Sequence, residues 1–208
     1  HVRLCQTESF EALSSGLQET LHIAGGVPQR IRSDSLSAAI KNLSSTKEFT
    51  RNYRELLAHY GVVGHRINVR RPHENGDVES SHGHFKDALD QALLLRGHRD
   101  FETTVEYMQF IRDLVHLRND SRIVRFREEC QKLEALPSTQ LPVSTSFTVT
   151  VRSDSLIRIK RNTYSVSSKY IGLRLEVKVH EDQLELWHGG NLLECLPRMI
   201  GQGKAAID

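Results

Sequence analysis

The sequence has no closely spaced pair of cysteines. Cys5, Cys130 and Cys195 lie far apart and are odd in number. A cysteine-built zinc site needs ligands a few residues apart, so zinc is not expected. Such sparse cysteine gives no disulfide framework either, and reduced, structural thiols in a cytosolic setting are the expectation. Long apolar runs are also missing. Nothing approaches the roughly 20 residues that a membrane-spanning helix needs, and no signal-peptide pattern opens the chain. Charge of one sign is not in excess: 28 basic and 26 acidic residues leave a net charge of +2. Any phosphate contact must therefore come from local patches rather than from bulk charge. Aromatic residues are few, and they do not alternate with basic residues as a single-strand stacking surface would require.

What is present is enough apolar sequence for one large or two small cores, 38% of 208 residues. His1-Val2-Arg3-Leu4-Cys5 alternates as a strand already under way, so the chain is expected to be part of a longer protein. Thr7 is a candidate N-cap for a helix carrying Phe10, Leu13, Leu17 and Leu21 at helical spacing. Gly25-Gly26-Val27-Pro28 ends it. A short strand follows at 29–33, then a helix over 47–60 with Phe49, Tyr53, Leu56, Leu57 and Tyr60 on its apolar side. A strand over 62–69 and a helix from about 76 to 96 complete an alternating α/β pattern.

Residues 101–135 read as helical, with Phe101, Val105, Met108, Ile111, Leu114 and Val115 forming one stripe. Asn119-Asp120-Ser121 interrupts them. Pro137–Pro142 is an uncharged linker with two prolines. Six short alternating strands then follow, and they favour a small β-barrel containing Tyr164 and Trp187 in its core. The expected organisation is a partial α/β core over 1–99, a helical connector over 100–136, a linker over 137–145 and a small barrel over 146–208.

Two carboxylates stand out. Asp34 follows a short strand, and carboxylates at the carboxyl ends of strands in α/β sheets point into ligand crevices. An aspartate there also serves as a turn or N-cap residue. Glu79, in Asn75-Gly76-Asp77-Val78-Glu79, falls in a first helical turn, where it complements the helix dipole with or without a further role. His82 and Lys86 share its helical stripe. His82 and His84 point in different directions and do not chelate one ion together. The densest basic patch contains Arg66, Arg70 and Arg71, which suit phosphate contact or plain solvation. Lys160 and Arg161 fall at a hairpin turn where they could reach a nucleic-acid backbone or simply aid solubility.

These segments resemble a known family. His59-Tyr60-Gly61, Arg70-Arg71-Pro72-His73 and Asn75–Glu79 with His82 and Lys86 look like the last catalytic segment of bacterial DDE transposases and retroviral-type integrases. Gly26–Asp34 is similar to the segment that holds their second aspartate. Further along, Arg118-Asn119, Phe126, Glu129, Leu133–Pro137 and Asn162–Val166 resemble the IstA-like transposases of two-gene insertion sequences. The resemblance implies a ribonuclease H-like catalytic core. It also implies Mg²⁺- or Mn²⁺-dependent cutting of transposon ends and joining of 3′-hydroxyls to target DNA. Asp34 and Glu79 would be metal ligands. Lys86, His82, Arg70, Arg71 and Arg66 would face DNA. The family further implies self-association into a multimer, a helper ATPase of the IstB type, and a bacterial cytoplasmic, nucleoid-associated location. Glu8, Glu11 and Glu19 do not fit the family's first aspartate, so the chain on its own is expected to be inactive. A non-catalytic DNA-binding or assembly module and a ribonuclease H-type nuclease are the competing readings.

Overall fold

The computed structural model describes residues 1–33, 39–42, 47–66 and 76–207. The chain divides into two compact units. One comprises His1–Leu4 and Gly16–Gln140, the other Cys5–Ser15 and Leu141–Asp208.

In the first unit, the expected strand over 1–5 does not form. Instead His1 and Arg3 lie 3.4 and 2.8 Å from the Glu19 carboxylate, so ion pairs hold this segment rather than ladder hydrogen bonds. Helix α1 spans Phe10–Ala24. Its cap is Ser9 rather than Thr7: the Ser9 hydroxyl accepts from the Ala12 amide at 3.4 Å, and Thr7 donates to Ser9 at 3.0 Å. Gly25, at φ 75°, ends the helix. A Cβ on Gly26 would stand 2.6 Å from the Leu133 Cβ, so only glycine permits the Val27–Glu134 bridge that follows.

Strand β1 (Arg30–Ser33) is followed by β2 (Ile40–Asn42), β3 (Lys47–Phe49), helix α2 (Arg51–His59) and β4 (Val63–Arg66). Residues 47–49 were expected to be helical, but they pair antiparallel with β2. The Thr50 hydroxyl accepts from the Tyr53 amide and fixes the helix start after them. Tyr53, Leu56 and Leu57 form the buried face of α2, and burying each such side chain contributes about 1.5–3 kcal/mol. Strands β1 and β4 pair parallel, from Arg30↔Val63 to Ser33↔Arg66. Parallel neighbours need a crossover, and the segment carrying α2 supplies it. Helices α3 (Gly76–Arg96), α4 (Thr104–Asn119) and α5 (Ile123–Cys130) follow, with a 3-10 turn at Asp120–Arg122 where the sequence is interrupted. Ile111 is the buried member of the α4 stripe, whereas Val105 is 78% exposed and does not belong to it.

The second unit contains β5 (Thr145–Thr150), β6 (Leu156–Ile159), β7 (Asn162–Ser165), β8 (Arg174–Val179), β9 (Gln183–His188), β10 (Asn191–Pro197) and β11 (Ala205–Ala206). The six strands read from alternation are all present. The expected barrel is not: the strands form a four-stranded sheet, β10-β9-β8-β5, and a three-stranded sheet, β11-β7-β6. Among the described residues, the edge strands of the two sheets, β5 and β10 in one and β6 and β11 in the other, are not joined by ladder pairing. Alternate residues of these strands make one core, including Ile157, Ile159, Tyr164, Leu175, Val177, Leu184 and Leu186.

Glu11 belongs to this second unit and is fully buried. Its carboxylate accepts from the Thr145 hydroxyl at 2.5 Å and from the Lys160 ammonium at 2.7 Å, and lies 3.3 Å from Arg198. Burial alone would raise the Glu11 pKa. Hydrogen bonds from Lys160 and Thr145, with the Lys160 charge, outweigh it and hold the carboxyl at about 2. A pKa depressed on folding stabilises the protein above the unfolded value near 4.3, and that stability fades as pH falls towards 2. The contribution is on the order of 3 kcal/mol. Urea unfolding followed by Trp187 fluorescence should therefore show stability falling between pH 5 and 2. Glu11→Gln should be about 3 kcal/mol less stable at pH 7 and flatter across that window. An unchanged midpoint at pH 7 would refute the role given to Glu11.

Candidate functional site

Strand β1 ends at Ser33, the residue before Asp34, and its parallel neighbour β4 ends at Arg66. The two strands run side by side, so their carboxyl ends lie together. This is the end of a parallel sheet at which α/β proteins bind ligands. What seats β4 there is an absence of side chain. A Cβ on Gly64 would meet Leu57 at 2.6 Å and Phe49 at 2.9 Å, so β4 packs directly against α2 and β3. The Tyr53 hydroxyl of α2 hydrogen-bonds the Ser33 hydroxyl and ties the end of β1 to the same helix.

Asp34, Arg70 and Arg71 lie outside the described residues. Arg66 is the last residue of β4, and Glu79 is the fourth residue of α3. Both are located by backbone alone. His82 and Lys86, further along α3, are exposed. At its far end α3 is anchored by Arg96, which pairs with Glu106 at 2.8 Å and lies 4.0 Å from the centre of the Phe101 ring. Arg118 of α4 donates to the His84 carbonyl at 3.1 Å. The exposed His82 and Lys86 thus sit on a helix fixed from its other side. Among the described residues no group of three His, Cys, Asp or Glu side chains could hold a metal ion.

A groove of about 840 Å³ opens in the first unit, lined by Ile23, Arg112, His116 and Phe126 among others. Neither His82 nor Lys86 lines it. No helix among the described residues is long and apolar enough to cross a membrane.

In the second unit, two sequence expectations change. Tyr164 is core, 3% exposed, but Trp187 is not. It alternates with the buried Leu184 and Leu186 and so occupies the outer face of β9, where the Lys178 ammonium sits 4.3 Å from its ring centre. The Lys160-Arg161 turn also divides its two cations. Lys160 is turned back to the buried Glu11, while Arg161 remains exposed. Strand alternation could assign neither outcome, since a turn residue has no period and both faces of a strand carry period two.

Residues 136–208 match the family described as Mu transposase, C-terminal domain. That segment is similar to the end of a transposase. Over 193 residues the chain is 42% identical to an uncharacterized protein, y4jA/y4nE/y4sE, of Sinorhizobium fredii, covering 92% of this chain and 38% of that protein. It is 24% identical over 215 residues to the transposase for insertion sequences IS1326/IS1353 of Pseudomonas aeruginosa, covering 98% of this chain and 41% of that one. With the transposase for insertion sequence element IS232 of Bacillus thuringiensis, identity is 25% over 217 residues, covering 98% and 48%. The chain spans less than half the length of the curated relatives it matches.

The packing of β4 gives a direct test. Gly64→Ala should lower stability by about 1–3 kcal/mol, the usual effect of overpacking a filled site. A denaturation midpoint equal to that of the wild type would show that β4 does not depend on this approach.

Proposed function

We propose that this chain is part of the transposase of an insertion sequence, of the IstA-like kind, and contributes to cutting element ends and joining their 3′-hydroxyls to target DNA. The observation that carries this is similarity along 98% of the chain to the transposases of IS1326/IS1353 and IS232. Residues 136–208 add an independent match to the C-terminal domain of Mu transposase.

In this reading the parallel β1–β4 pair and α2 are part of a ribonuclease H-like catalytic core. Asp34, directly after β1, and Glu79, in the first turn of α3, are its metal ligands. Their donor set is all carboxylate, which suits hard Mg²⁺ or Mn²⁺ rather than zinc. When bound, the metal ions would stabilise charge on the attacking and leaving oxygens of a phosphoryl displacement. The chain's own residues would do the rest. Lys86 and His82, exposed on α3, contact the DNA backbone beside the carboxylates. Arg66, Arg70 and Arg71 continue that contact along the segment leading into α3. The partners of this reading are DNA, further copies of the transposase and a helper ATPase of the IstB type, in the bacterial cytoplasm.

The test uses the whole transposase that contains this chain, pre-cut 3′-hydroxyl ends, a target plasmid and Mg²⁺. Asp34→Asn and Glu79→Gln should each lower joined product about a thousandfold or more while leaving end binding intact. Several kcal/mol of charge stabilisation is lost, at about 1.4 kcal/mol per factor of ten. Lys86→Ala should weaken DNA binding uniformly across sequences and reduce the salt slope by about 1. Joining that survives both carboxylate substitutions would end the catalytic reading and leave a non-catalytic module. Cutting without joining would point to a nuclease.

A further inference from the structure

Tyr53 is a core residue with a polar tip. It is 1% exposed and is the first of the three buried residues of α2. Phenylalanine would fill nearly the same space with no hydroxyl to take out of water. A buried phenol needs a hydrogen-bond partner, and the Tyr53 hydroxyl finds one in the Ser33 hydroxyl, 20 residues away in sequence. Packing accounts for the ring but not for its oxygen.

Ser33 is the last residue of β1 and stands opposite Arg66, the last residue of β4. Arg30 and Arg32 are exposed, whereas Ile31 and Ser33 are half-buried, so Ser33 shares the inner face of the strand with Ile31. The end of a ladder opens most easily, because no further pair follows to hold it. At that rung the Ser33 side chain supplies a hold that backbone pairing does not. The next residue is Asp34. The peptide bond between them is planar and stiff, so an anchored Ser33 carries the start of Asp34 with it.

The other end of this link is held from several sides. The Thr50 hydroxyl accepts from the Tyr53 amide at 3.3 Å, and the Thr50 amide donates to the Ala39 carbonyl at 2.7 Å. The Tyr53 ring packs against Phe49 of β3, with ring centres 5.3 Å apart. Leu56 and Leu57 bury the next turn of the helix. Tyr60, at its end, donates to Gln18 at 2.8 Å. Tyrosine has only two side-chain torsions. With backbone and ring both fixed, the hydroxyl has little freedom left, and it acts as a rigid post for Ser33.

We infer that Tyr53 is a positioning residue for a divalent-cation site: through Ser33 it fixes the end of β1, and with it the point from which the chain delivers the Asp34 carboxylate to the metal. The inference rests on the reading of Asp34 as a metal ligand proposed above. Outer partners of metal ligands are worth about 10–100-fold in metal affinity or activity. Tyr53 acts through one covalent neighbour more, so the lower end, about tenfold, is expected.

The test uses the whole transposase that contains this chain, with pre-cut 3′-hydroxyl ends and a target plasmid. Tyr53→Phe and Ser33→Ala should each raise the Mg²⁺ concentration for half-maximal joining about tenfold, while the rate at saturating Mg²⁺ stays within about twofold of the wild type. Mn²⁺ binding to the end complex without target, read by electron paramagnetic resonance, should weaken by the same factor. The double variant should be no worse than either single one, since both remove one bond. Ser33→Thr keeps the hydroxyl and should match the wild type. Tyr164→Phe is the matched control: it removes a buried phenol oxygen that accepts from the Met199 amide at 3.2 Å in the second unit, and it should leave the metal requirement where it is. Should Tyr53→Phe fail to fold, Ser33→Ala, at a half-buried strand end, decides the question. An unshifted metal requirement in the variants overturns the inference, and so does a Ser33→Thr variant as impaired as Ser33→Ala. A lower melting temperature or saturating rate with unchanged Mn²⁺ affinity also overturns it, since that marks a merely structural hydroxyl. Asp34→Asn in the same assay separates the two readings. Joining lost there, beside an unshifted Tyr53→Phe, sinks the positioning role alone; joining intact there removes the metal ligand and both readings with it.

Discussion

The buried carboxylate of Glu11 is the constraint on which the second unit depends. Its side chain is fully buried, so the protein must supply the compensation. Thr145 comes from the first residue of β5, Lys160 from the β6–β7 turn, and Arg198 from the end of β10. A single residue from the start of α1 therefore ties the Cys5–Ser15 segment of this unit to three places in Leu141–Asp208. Arg198 extends the network by donating to the His180 carbonyl at 2.5 Å, which ties the end of β8 to the end of β10. Removing one member of such a cluster leaves the others charged and half-desolvated, which is why the effect of a break is large even where the net value of the intact cluster is small.

The same cluster holds one of the two sheets into which the strands divide instead of closing into a barrel. The β6–β7 hairpin is held by its tip to Glu11 and by Asn162 to the loop at 199–204, and β11 then completes its sheet. Once β7 has β11 as its neighbour, neither of its edges is open to the four-stranded sheet. Alternation in the sequence reports that a strand has one buried face. It carries no information about which strand lies beside it, and six strands with one apolar face each are compatible with a barrel or with two sheets over a common core.

That distinction runs through the rest of the chain. Elements with a strong local cause were legible: the buried Tyr53, Leu56 and Leu57 face of α2, the break at Asn119–Ser121, the turns after β6 and β9. Elements decided by distant partners were not. His1–Cys5 alternates like a strand but is held by Glu19. Lys47–Phe49 has helical spacing with Tyr53 but joins a hairpin, because the Thr50 cap starts the helix after it. Glu11 itself reads as an ordinary first-turn glutamate, and its partners lie 134, 149 and 187 residues away. The candidate catalytic segment was legible only as a resemblance. By residue chemistry alone Asp34 has an equally good reading as a turn residue and Glu79 as a dipole partner. What the structure adds beside them is the parallel β1–β4 pair and the glycine that seats it.

Net charge of +2 conceals a physical asymmetry that only the strand order exposes. In sequence, the five basic residues of 156–166 and 198–207 are scattered among apolar and small residues, and no more than two are adjacent. Pairing leaves Arg158 on the face opposite Ile157 and Ile159 and turns Lys160 and Arg198 to Glu11. That pair offsets Glu11, and the β6–β7 turn that carries Lys160 holds both Lys160 and Arg161 in left-handed backbone. The two residues of this turn therefore differ in role: Lys160 is committed to the buried carboxylate, while Arg161 is exposed and donates to Gln202 at 2.9 Å.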